Sequence, residues 1–406
     1  MEKLFERLNV IIESDFLEEA YKKAINLNEI PHWLTKEYIL KLNEELDVFG
    51  VYLEKILLAL SKVKEDADLL VFVKILYFLI ELSPKREDVV KNIKLPLKTG
   101  EEDEVIGYNM AAVFPVAAHI LKLHDSFVKR GIEEEYISAT LKFLELGIKE
   151  SSERMNCLSY NEAYFTWDIY YLYEELIRIE RFEMQVVPHF YYHVQVLENQ
   201  SGERVVLADN LMLHREGHVL GTAGYMDEDG SYKADVTQTE EYFEGYKVDN
   251  ETHLFENKKT KFSKKEWKVI LKDGDAVFGI HIPANLPLDD ETCMFSFKKA
   301  KEVLPRCFPE YDFKAFVTGT WLLAPELKEF LKPQSNILAF QKYFTIFPSE
   351  YAYGKAVFSF VYQLNVFKDI ALDYNTLKED TSLMRNIKKH YLDGKYVHEF
   401  NGFFTL

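Results

Sequence analysis

The chain has little cysteine: three residues, Cys157, Cys293 and Cys307, in a total of 406. A secreted disulfide framework requires an even set of paired cysteines, and these three are odd in number and far apart. The sequence therefore favours reduced thiols and a cytoplasmic location. A signal peptide is not expected either, because the first residues alternate charged and apolar side chains without a continuous apolar stretch.

Basic residues are also in short supply. Lysine and arginine number 49 against 67 aspartates and glutamates, which gives a formal net charge of -18. Nucleic acids and anionic membranes attract basic surfaces through their phosphates, so neither is expected as a partner. The most apolar run, Leu69 to Leu82, is short and contains Lys74, which predicts a buried helix and not a membrane span.

Several sequence motifs that identify a reaction type or a cofactor are missing. The sequence contains no Walker A loop, no Gly-x-Ser-x-Gly elbow and no dinucleotide fingerprint. His189 with His193, or His214 with His218, share strand faces in the predicted fold, but no cysteine or carboxylate completes a recognisable ligand set beside them. We therefore expect no metal site, and no local motif identifies a reaction.

What the chain has is ample core material, since 48% of its residues are hydrophobic and it contains 30 Phe and 25 Tyr. Its length exceeds what one core normally fills, which predicts two domains. Residues 1–183 have helical periodicity, for example at Leu53, Ile56, Leu57 and Leu60, and are interpreted as an all-α domain. One helix is predicted from about Tyr160 to Met184, with an aromatic stripe that is typical of packing between helices.

After Gln185 the periodicity changes to that of strands, and residues 184–406 are interpreted as a second domain. The fold class is thus α+β: an all-α N-terminal domain followed by a mixed β-sheet domain with flanking helices. In the stretch from Asp273 to Phe347, strand AVFGIHIP is followed by helix TCMFSFKKAKEVL and strand FKAFVTGTW. A helix of this length between two strands predicts a parallel β-α-β crossover, and ligands of such sheets bind where the strands end.

Five segments carry a resemblance to a known family. They are RGIEEEYISATL (130–141), LIRIERFEMQ (176–185), LKDGDAVFGIHIPANLPLDDETC (271–293), GTWLLAPELKEFLKPQSNILAFQKYF (319–344) and TSLMRNIKKHYLDGK (381–395). Together, and in this order over most of the chain, they resemble the bacterial acyltransferase domain-containing proteins. That family pairs a helical N-terminal domain with a C-terminal domain similar to the GNAT class of N-acetyltransferases.

The resemblance implies an acyl-CoA-dependent N-acyltransferase with a small-molecule or peptide amine acceptor. Such a domain holds acetyl-CoA or another acyl-CoA between two splayed parallel strands and offers helix N-terminal N–H groups to the pyrophosphate. It also implies a tyrosine that protonates the departing thiolate, and Tyr343 is the nearest equivalent by order. Ser335 and Asn336, which begin the same helix, are assigned to the coenzyme site.

Strand alternation between Ala276 and Ile282 puts Val277, Gly279 and His281 on one face. Glycine beside histidine leaves space for a ligand, so His281 is the candidate base or substrate contact, and the alternative is a histidine bonded within the core. Gly279 is assigned to the coenzyme site. On the next strand Gly319 and Thr320 are also assigned to it, because glycine in a strand often marks a bulge or a splay.

A lysine-rich segment lies in this otherwise acidic protein, between Lys258 and Lys268. Lys264 and Lys265 are assigned to the phosphates of coenzyme A, and the alternative is a solvated strand edge. The expected phosphate loop, Gln or Arg followed two residues later by Gly-x-Gly or Gly-x-Ala, is not present. The corresponding segment PANLPLDDET (283–292) has no glycine and places carboxylates in the first turn of a helix.

Two functional hypotheses follow from these observations. The first is an acyl-CoA-dependent N-acyltransferase, as the strands, the helix and the family resemblance indicate. The second is a non-catalytic ligand-binding or scaffold protein on a GNAT-like fold, because the glycine loop is missing and the helix begins with acidic residues. The acceptor, the acyl chain length and the oligomeric state do not follow from the sequence.

Overall fold

The chain forms two compact units in a computed structural model that describes residues 1–283, 286–364 and 372–406. The units are Met1–Ile179 and Glu180–Leu406. This division lies a few residues before the boundary predicted from the sequence, between residues 183 and 184. The first unit is helical and the second is rich in strands, so the predicted α+β fold class is confirmed.

The first unit consists mainly of α-helices, with a small antiparallel pair of strands in which Ile12 lies opposite Ile93. Its elements are α1 (Glu2–Leu8), β1 (Ile11–Glu13), α2 (Leu17–Asn26), α3 (Lys36–Leu46), α4 (Leu53–Glu65), α5 (Ala67–Leu82), α6 (Arg86–Val89), β2 (Asn92–Lys94), α7 (Glu102–Asn109), α8 (Val113–Ala117), α9 (Ile120–Lys129), α10 (Glu134–Leu141), α11 (Phe143–Met155), α12 (Glu162–Leu172) and β3 (Leu176–Ile179).

Helix α5 contains the apolar run that the sequence predicted as a buried helix. Asp66 caps it, because its carboxylate accepts hydrogen bonds from the backbone N–H groups of Asp68 and Leu69, both at 3.0 Å. Lys74 is only 4% exposed, and its ammonium donates to the Leu27 carbonyl oxygen at 2.6 Å. The prediction of a buried helix is therefore confirmed, and a hydrogen bond satisfies its one buried charge.

The predicted helix from Tyr160 to Met184 is wrong in its second half. Helix α12 ends at Leu172, and the chain continues into strand β3. Glu174 and Glu180 have positive φ angles of 61° and 53°, so the chain turns twice where no glycine signals a turn. The apolar residues after Tyr173 therefore belong to strands, although the aromatic stripe before them is helical as predicted.

The second unit contains strands of two main sheets and a few helices. Its elements are β4 (Phe182–Val187), β5 (Val194–Asn199), β6 (Arg204–Ala208), β7 (Leu211–Leu213), β8 (Tyr232–Ala234), β9 (Thr237–Gln238), β10 (Tyr242–Val248), β11 (Phe255–Ser263), β12 (Trp267–Lys272), β13 (Ala276–His281), α13 (Asp290–Cys307), β14 (Phe313–Thr320), α14 (Asn336–Gln341), β15 (Thr345–Pro348), α15 (Ala356–Val361), α16 (Ser382–Leu392) and β16 (Phe400–Thr405).

In the sheet that positions the site, strands β15, β16, β14, β13 and β4 lie side by side in that order. Strands β13 and β14 are parallel and are joined by α13, which confirms the predicted crossover. The other neighbours in this sheet are antiparallel. The second sheet has the order β11, β10, β6, β5 and β12.

Helix α13 covers one face of the first sheet. Its buried residues Cys293, Phe297, Ala300 and Leu304 recur at helical spacing and form one apolar stripe. Phe297 stacks on Phe182 with the ring centroids 4.9 Å apart. Since this face of the sheet is filled by aromatic side chains, a ligand that reaches the ends of β13 and β14 must approach from the opposite face.

Within residues 1–283, 286–364 and 372–406, no single helix is long and apolar enough to cross a membrane. One bent pair of helical segments, Glu102–Asn109 with Val113–Lys129, passes the same test of length and composition when taken together. The three cysteines are free thiols, of which Cys293 and Cys307 are buried and Cys157 is exposed.

Candidate active site

The parallel pairing of β13 with β14 stops before either strand ends. Paired positions run from Ala276 opposite Phe313 to Gly279 opposite Val317, whereas β14 stays paired with β16 as far as Thr320. Beyond Gly279 the link is a side chain: the Thr318 hydroxyl donates to the Ile280 carbonyl oxygen at 3.0 Å. The backbones of the two parallel strands therefore stop pairing before their carboxyl ends. The family resemblance implied such a separation.

A cavity of about 260 Å³ opens at this separation, on the face of the sheet opposite α13. Gly279 and Gly319 lie at its floor, one on each parallel strand, as the sequence predicted for a ligand site. His281 lines it as well. The Gln185 side chain contacts both His281 and the Cβ position of Gly279, which confirms the prediction that Gly279 and His281 share one face. A cavity at the carboxyl ends of parallel strands is the usual position of a ligand site in such sheets.

An added side chain would be crowded at both floor glycines. A Cβ at Gly279 would lie 3.2 Å from Gln185 Cβ, and a Cβ at Gly319 would lie 2.9 Å from Asn401 Oδ1 and 3.8 Å from the Tyr192 hydroxyl. Neither glycine is needed for a left-handed backbone, because neither is among the positive-φ residues. Their small size keeps the cavity open.

His281 is held by the neighbouring antiparallel strand. Its Nε2 lies 2.9 Å from Gln185 Oε1, and Gln185 is on β4. An amide oxygen is only an acceptor, which assigns the proton to Nε2 and makes Nδ1 the basic nitrogen of the ring. Burial lowers the pKa of His281 to about 4. The imidazole is therefore neutral at pH 7 and is in the state that accepts a proton.

This lowered pKa makes the stability of the protein depend on pH. Between pH 6.5 and about 4 the unfolded chain binds a proton at His281 that the folded chain does not, so stability falls as pH falls through this range. We expect the lowered pKa of His281 to reduce the free energy of unfolding by up to about 3 kcal/mol over this pH range. Denaturant unfolding at pH 7, 6 and 5 measures the drop, which His281→Gln is expected to reduce. His189→Gln, at an exposed position, is the matched control, and an equal drop in both variants would contradict the assignment.

A second pair of polar groups faces the space above Gly319. Asn401 comes from β16, where it lies opposite Gly319, and its side chain is 5% exposed. Tyr192 comes from the segment between β4 and β5, and its ring packs against Phe190 and Phe347. Burial raises the pKa of Tyr192 above its usual value, so its hydroxyl keeps its proton and acts as a hydrogen-bond donor.

Glu399, directly before β16, lines the cavity. Its two carboxylate oxygens accept hydrogen bonds from the backbone N–H groups of Ala356 at 3.0 Å and Gly354 at 3.1 Å. Burial nevertheless raises the pKa of this carboxyl above its usual value. Tyr191 and Tyr351 also line the cavity and are more than half exposed, which places them at its mouth.

Tyr343, the predicted thiolate acid, is not among the residues that line the cavity. Its hydroxyl donates to the carboxylate of Asp290 in the first turn of α13, and its ring meets Phe297 edge to face. It therefore lies on the side of the sheet that α13 covers. The assignment of Tyr343 as the thiolate acid from sequence order stays a prediction, and its position outside the cavity does not favour it.

The structure does not bring four other predicted residues to the cavity. Lys264 and Lys265 lie at the turn between β11 and β12, where Lys264 Nζ is 4.9 Å from the centre of the Phe243 ring. Ser335 caps α14, since its hydroxyl accepts from the Ile337 N–H at 3.3 Å, and Asn336 follows as the first residue of that helix. These contacts give each residue a local structural role.

Thr320, assigned to the coenzyme site with Gly319, caps the helical turn that follows β14. Its hydroxyl accepts from the backbone N–H of Leu322 at 3.2 Å. It is not among the residues that line the cavity, so the geometry favours the alternative of an ordinary structural threonine. Gly319, one residue earlier, is the part of this prediction that reaches the site.

The segment 283–292 begins α13, and its residues Ala284 and Asn285 lie outside the described residues. Asp289 is the helix cap and accepts from the Thr292 N–H at 2.9 Å. The buried Arg181 donates from Nε to the Pro287 carbonyl oxygen at 2.8 Å, which places one cation beside this acidic start. The expected glycine loop is replaced by a capped helix with carboxylates in its first turn.

Several cavity residues were not predicted from the sequence, among them Gln185, Tyr192, Glu399 and Asn401. None of these four belongs to the strand-helix-strand stretch between Asp273 and Phe347. Gln185 and Asn401 reach the site because they lie opposite Gly279 and Gly319 in the strand register. No local spacing encodes that register, and only a correct prediction of the strand order would have found them.

Metal chemistry finds no support in the described part of the chain. Among those residues no group of three or more histidines, cysteines and carboxylates is arranged to hold a metal ion. His214 contacts Asp227, and His218 stacks on Tyr225 with the centroids 3.8 Å apart. These two histidines therefore make structural contacts.

The second unit has the architecture of a GNAT-like domain, with a parallel strand-helix-strand crossover and a cavity where the strands separate. A family profile described as the GNAT-like C-terminal domain matches residues 192–404, just over half of the 406 residues, and the chain belongs to this family. The predicted pairing of a helical N-terminal region with a GNAT-like C-terminal domain is confirmed. A search of curated proteins finds no significant match.

Solved structures share the fold over the whole chain. One is an acyltransferase in complex with decanoyl-CoA and teicoplanin, with 15% sequence identity, a TM-score of 0.62 and coverage of 100% of this chain and 99% of that chain. A mutant acyltransferase in complex with octanoyl-CoA has 16% identity, and the TM-score and coverage are the same. An acyltransferase with CoA and 10C-teicoplanin also has 16% identity, with the same TM-score and coverage. At this identity the likeness concerns the fold.

Proposed function

We propose that this protein transfers an acyl group from an acyl-CoA to an amine acceptor. The observation that carries the proposal is the cavity where β13 and β14 separate, with a floor of two glycines and polar groups on both sides. Membership of the GNAT-like family supports it, and so does the binding of acyl-CoA by proteins with the same fold. The two glycines provide the close approach that the thioester end of a coenzyme requires.

In the proposed reaction the acceptor nitrogen attacks the thioester carbonyl carbon, a C–N bond forms and the C–S bond breaks. His281 takes the proton that the nitrogen loses. The neutral ring is the form present at pH 7, because burial lowers the pKa to about 4. Gln185 fixes the ring through its 2.9 Å hydrogen bond, so the base is held in one orientation.

One donor and one acceptor face the space above Gly319. The Tyr192 hydroxyl gives its proton to the departing thiolate. The Asn401 amide oxygen is an acceptor and orients the attacking nitrogen through its N–H. A donor that is already in position stabilises a developing negative charge without the cost of reorganisation. The products are an amide and the free thiol of coenzyme A. His281 then releases its proton to solvent, and Tyr192 regains one from solvent.

The proposal is tested by isothermal titration of the full chain with acetyl-CoA, decanoyl-CoA and CoA. Micromolar affinity, on the order of 8 kcal/mol, is expected for at least one acyl-CoA. Turnover is then measured as free thiol released in the presence of amines. Failure of all three ligands to bind would overturn the proposal. Binding without thiol release would contradict acyl transfer and indicate a protein that binds the coenzyme without catalysis.

A second candidate function is a non-catalytic ligand-binding or scaffold protein, and the start of α13 favours it. Asp289, Asp290 and Glu291 stand where related domains offer N–H groups to a pyrophosphate, and carboxylates repel that anion. The titration separates the two candidates, because a scaffold that has lost its donor site gives no heat with any coenzyme. Thiol release in the presence of an amine would exclude it.

A further inference from the structure

The cavity contains a carboxylate that the proposed chemistry does not use. His281, Tyr192 and Asn401 account for proton transfer and for the orientation of the attacking nitrogen, whereas Glu399, directly before β16, lines the same cavity. A carboxylate in a partly enclosed ligand site needs a partner of opposite charge when the ligand displaces water. We infer that Glu399 binds a second ammonium group of the acceptor, so that the acceptor is an aliphatic diamine or a longer polyamine. This inference rests on the proposed function.

The geometry of Glu399 leaves room for a cation. Each carboxylate oxygen accepts one backbone hydrogen bond, from Ala356 N–H at 3.0 Å or from Gly354 N–H at 3.1 Å. Carboxylate oxygens have two lone pairs each, so each can accept another donor from the cavity side. The two backbone bonds also hold the carboxylate in place, which favours binding by reducing the side-chain entropy lost.

The rest of the lining is compatible with an ammonium group. Among the described residues that line the cavity none is lysine or arginine. Tyr191, Tyr192 and Tyr351 line it as well, and the face of a tyrosine ring attracts an ammonium group. Burial raises the pKa of Glu399, and a bound cation would offset this by stabilising the ionised form. Charge and aromatic lining thus point to the same ligand chemistry.

The position of Glu399 gives the spacing between the two nitrogens. Glu399 and Asn401 are two residues apart where β16 begins, and both line the cavity. Two residues along a strand span roughly 7 Å. The reacting nitrogen lies near Asn401 and the second one near Glu399, so an acceptor with four or so carbons between its nitrogens matches the distance.

The test compares two probes of equal length on the full chain, 1,4-diaminobutane and 1-aminobutane, by isothermal titration at pH 7. A charge-assisted hydrogen bond with an aromatic contact predicts at least about tenfold tighter binding of the diamine. Glu399→Gln keeps the shape of the side chain and is expected to remove this preference. Tyr351→Leu, at a position that is 59% exposed, is expected to reduce the preference without a loss of stability.

Glu350→Gln is the matched control. Glu350 lies between two lining residues, Ser349 and Tyr351, but does not itself line the cavity, and its carboxylate is 3.7 Å from His193 Nε2. The control removes the same charge and is expected to retain the diamine preference. Equal affinity for the two probes in the wild-type chain would overturn the inference. An equal loss of the diamine preference in the Glu350 and Glu399 variants would overturn it too.

Titration of the same samples with acetyl-CoA separates this inference from the proposed function. Coenzyme binding without a diamine preference would overturn the ammonium site and leave the acyltransferase proposal standing. A diamine preference without coenzyme binding would support the ammonium site and contradict the acyltransferase proposal. If Glu399→Gln does not fold, the comparison of the two probes on Tyr351→Leu and on the wild-type chain still decides the question.

Discussion

Gly319→Val is expected to weaken acyl-CoA binding by about 10- to 100-fold, because the side chain takes space proposed for the thioester. The domain is expected to stay folded, since overpacking costs about 1–3 kcal/mol of stability. The Cβ alone would lie 2.9 Å from Asn401 Oδ1, and the branched methyl groups would extend into the space that the thioester is proposed to occupy. The backbone does not oppose the change, because Gly319 has no positive φ and a branched side chain suits a strand. The measurement is isothermal titration with acetyl-CoA, together with a thermal melt.

The matched comparison is the double variant Lys264→Ala and Lys265→Ala. These lysines were assigned to the coenzyme phosphates from the sequence, but they lie at the turn between β11 and β12. We expect the double variant to bind acetyl-CoA like the wild-type chain. If Gly319→Val binds normally and the lysine variant does not, the donor site lies at the lysine turn and the cavity has another use.

The crossover and its two glycines were predictable because their signals are local. Apolar residues of period two predict β13 and β14, helical periodicity predicts α13 between them, and the connection can only be parallel. Strand alternation then brings Gly279 and His281 to the same face. Every step uses residues close together in the chain, and every step is confirmed by the fold.

The remaining half of the site depends on register between distant strands. Gln185 lies opposite Gly279, and Asn401 lies opposite Gly319 at the other end of the unit. A shift of one residue in either pairing would turn the side chain to the other face. The sequence contains no turn or spacing that fixes these pairings, so their contribution to the cavity could not be predicted.

The assignment of Lys264 and Lys265 to the coenzyme phosphates stays a prediction, and neither lysine lines the cavity. A cluster of cations in an acidic chain suggests an anion site, but two other lysines of this cluster pair with the protein's own carboxylates. Lys261 Nζ lies 3.8 Å from Glu244, and Lys268 Nζ lies 3.7 Å from Glu198. Exposed pairs of this kind add little to stability, but they explain why lysines gather on a strand edge.

Tyr192→Phe is expected to lower kcat on the order of 100-fold and to change coenzyme affinity little, whereas Tyr343→Phe is expected to retain most of the activity. Only the Tyr192 hydroxyl faces the space above Gly319, where the C–S bond is proposed to break. The Tyr343 hydroxyl donates to Asp290 instead, and Asp290 is in the first turn of α13 on the other side of the sheet. Each change removes one oxygen atom and leaves the aromatic ring in place.

The measurement is thiol release with saturating acyl-CoA and amine, followed by titration of each variant with the coenzyme alone. An acid that acts on the leaving group affects the chemical step, so kcat should fall with little change in KM. A structural role for Tyr192 would instead lower the melting temperature and change both constants. If Tyr343→Phe is the inactive variant, the assignment by sequence order is correct and the thiolate leaves toward α13, which would place the reacting sulfur outside the cavity above the two glycines.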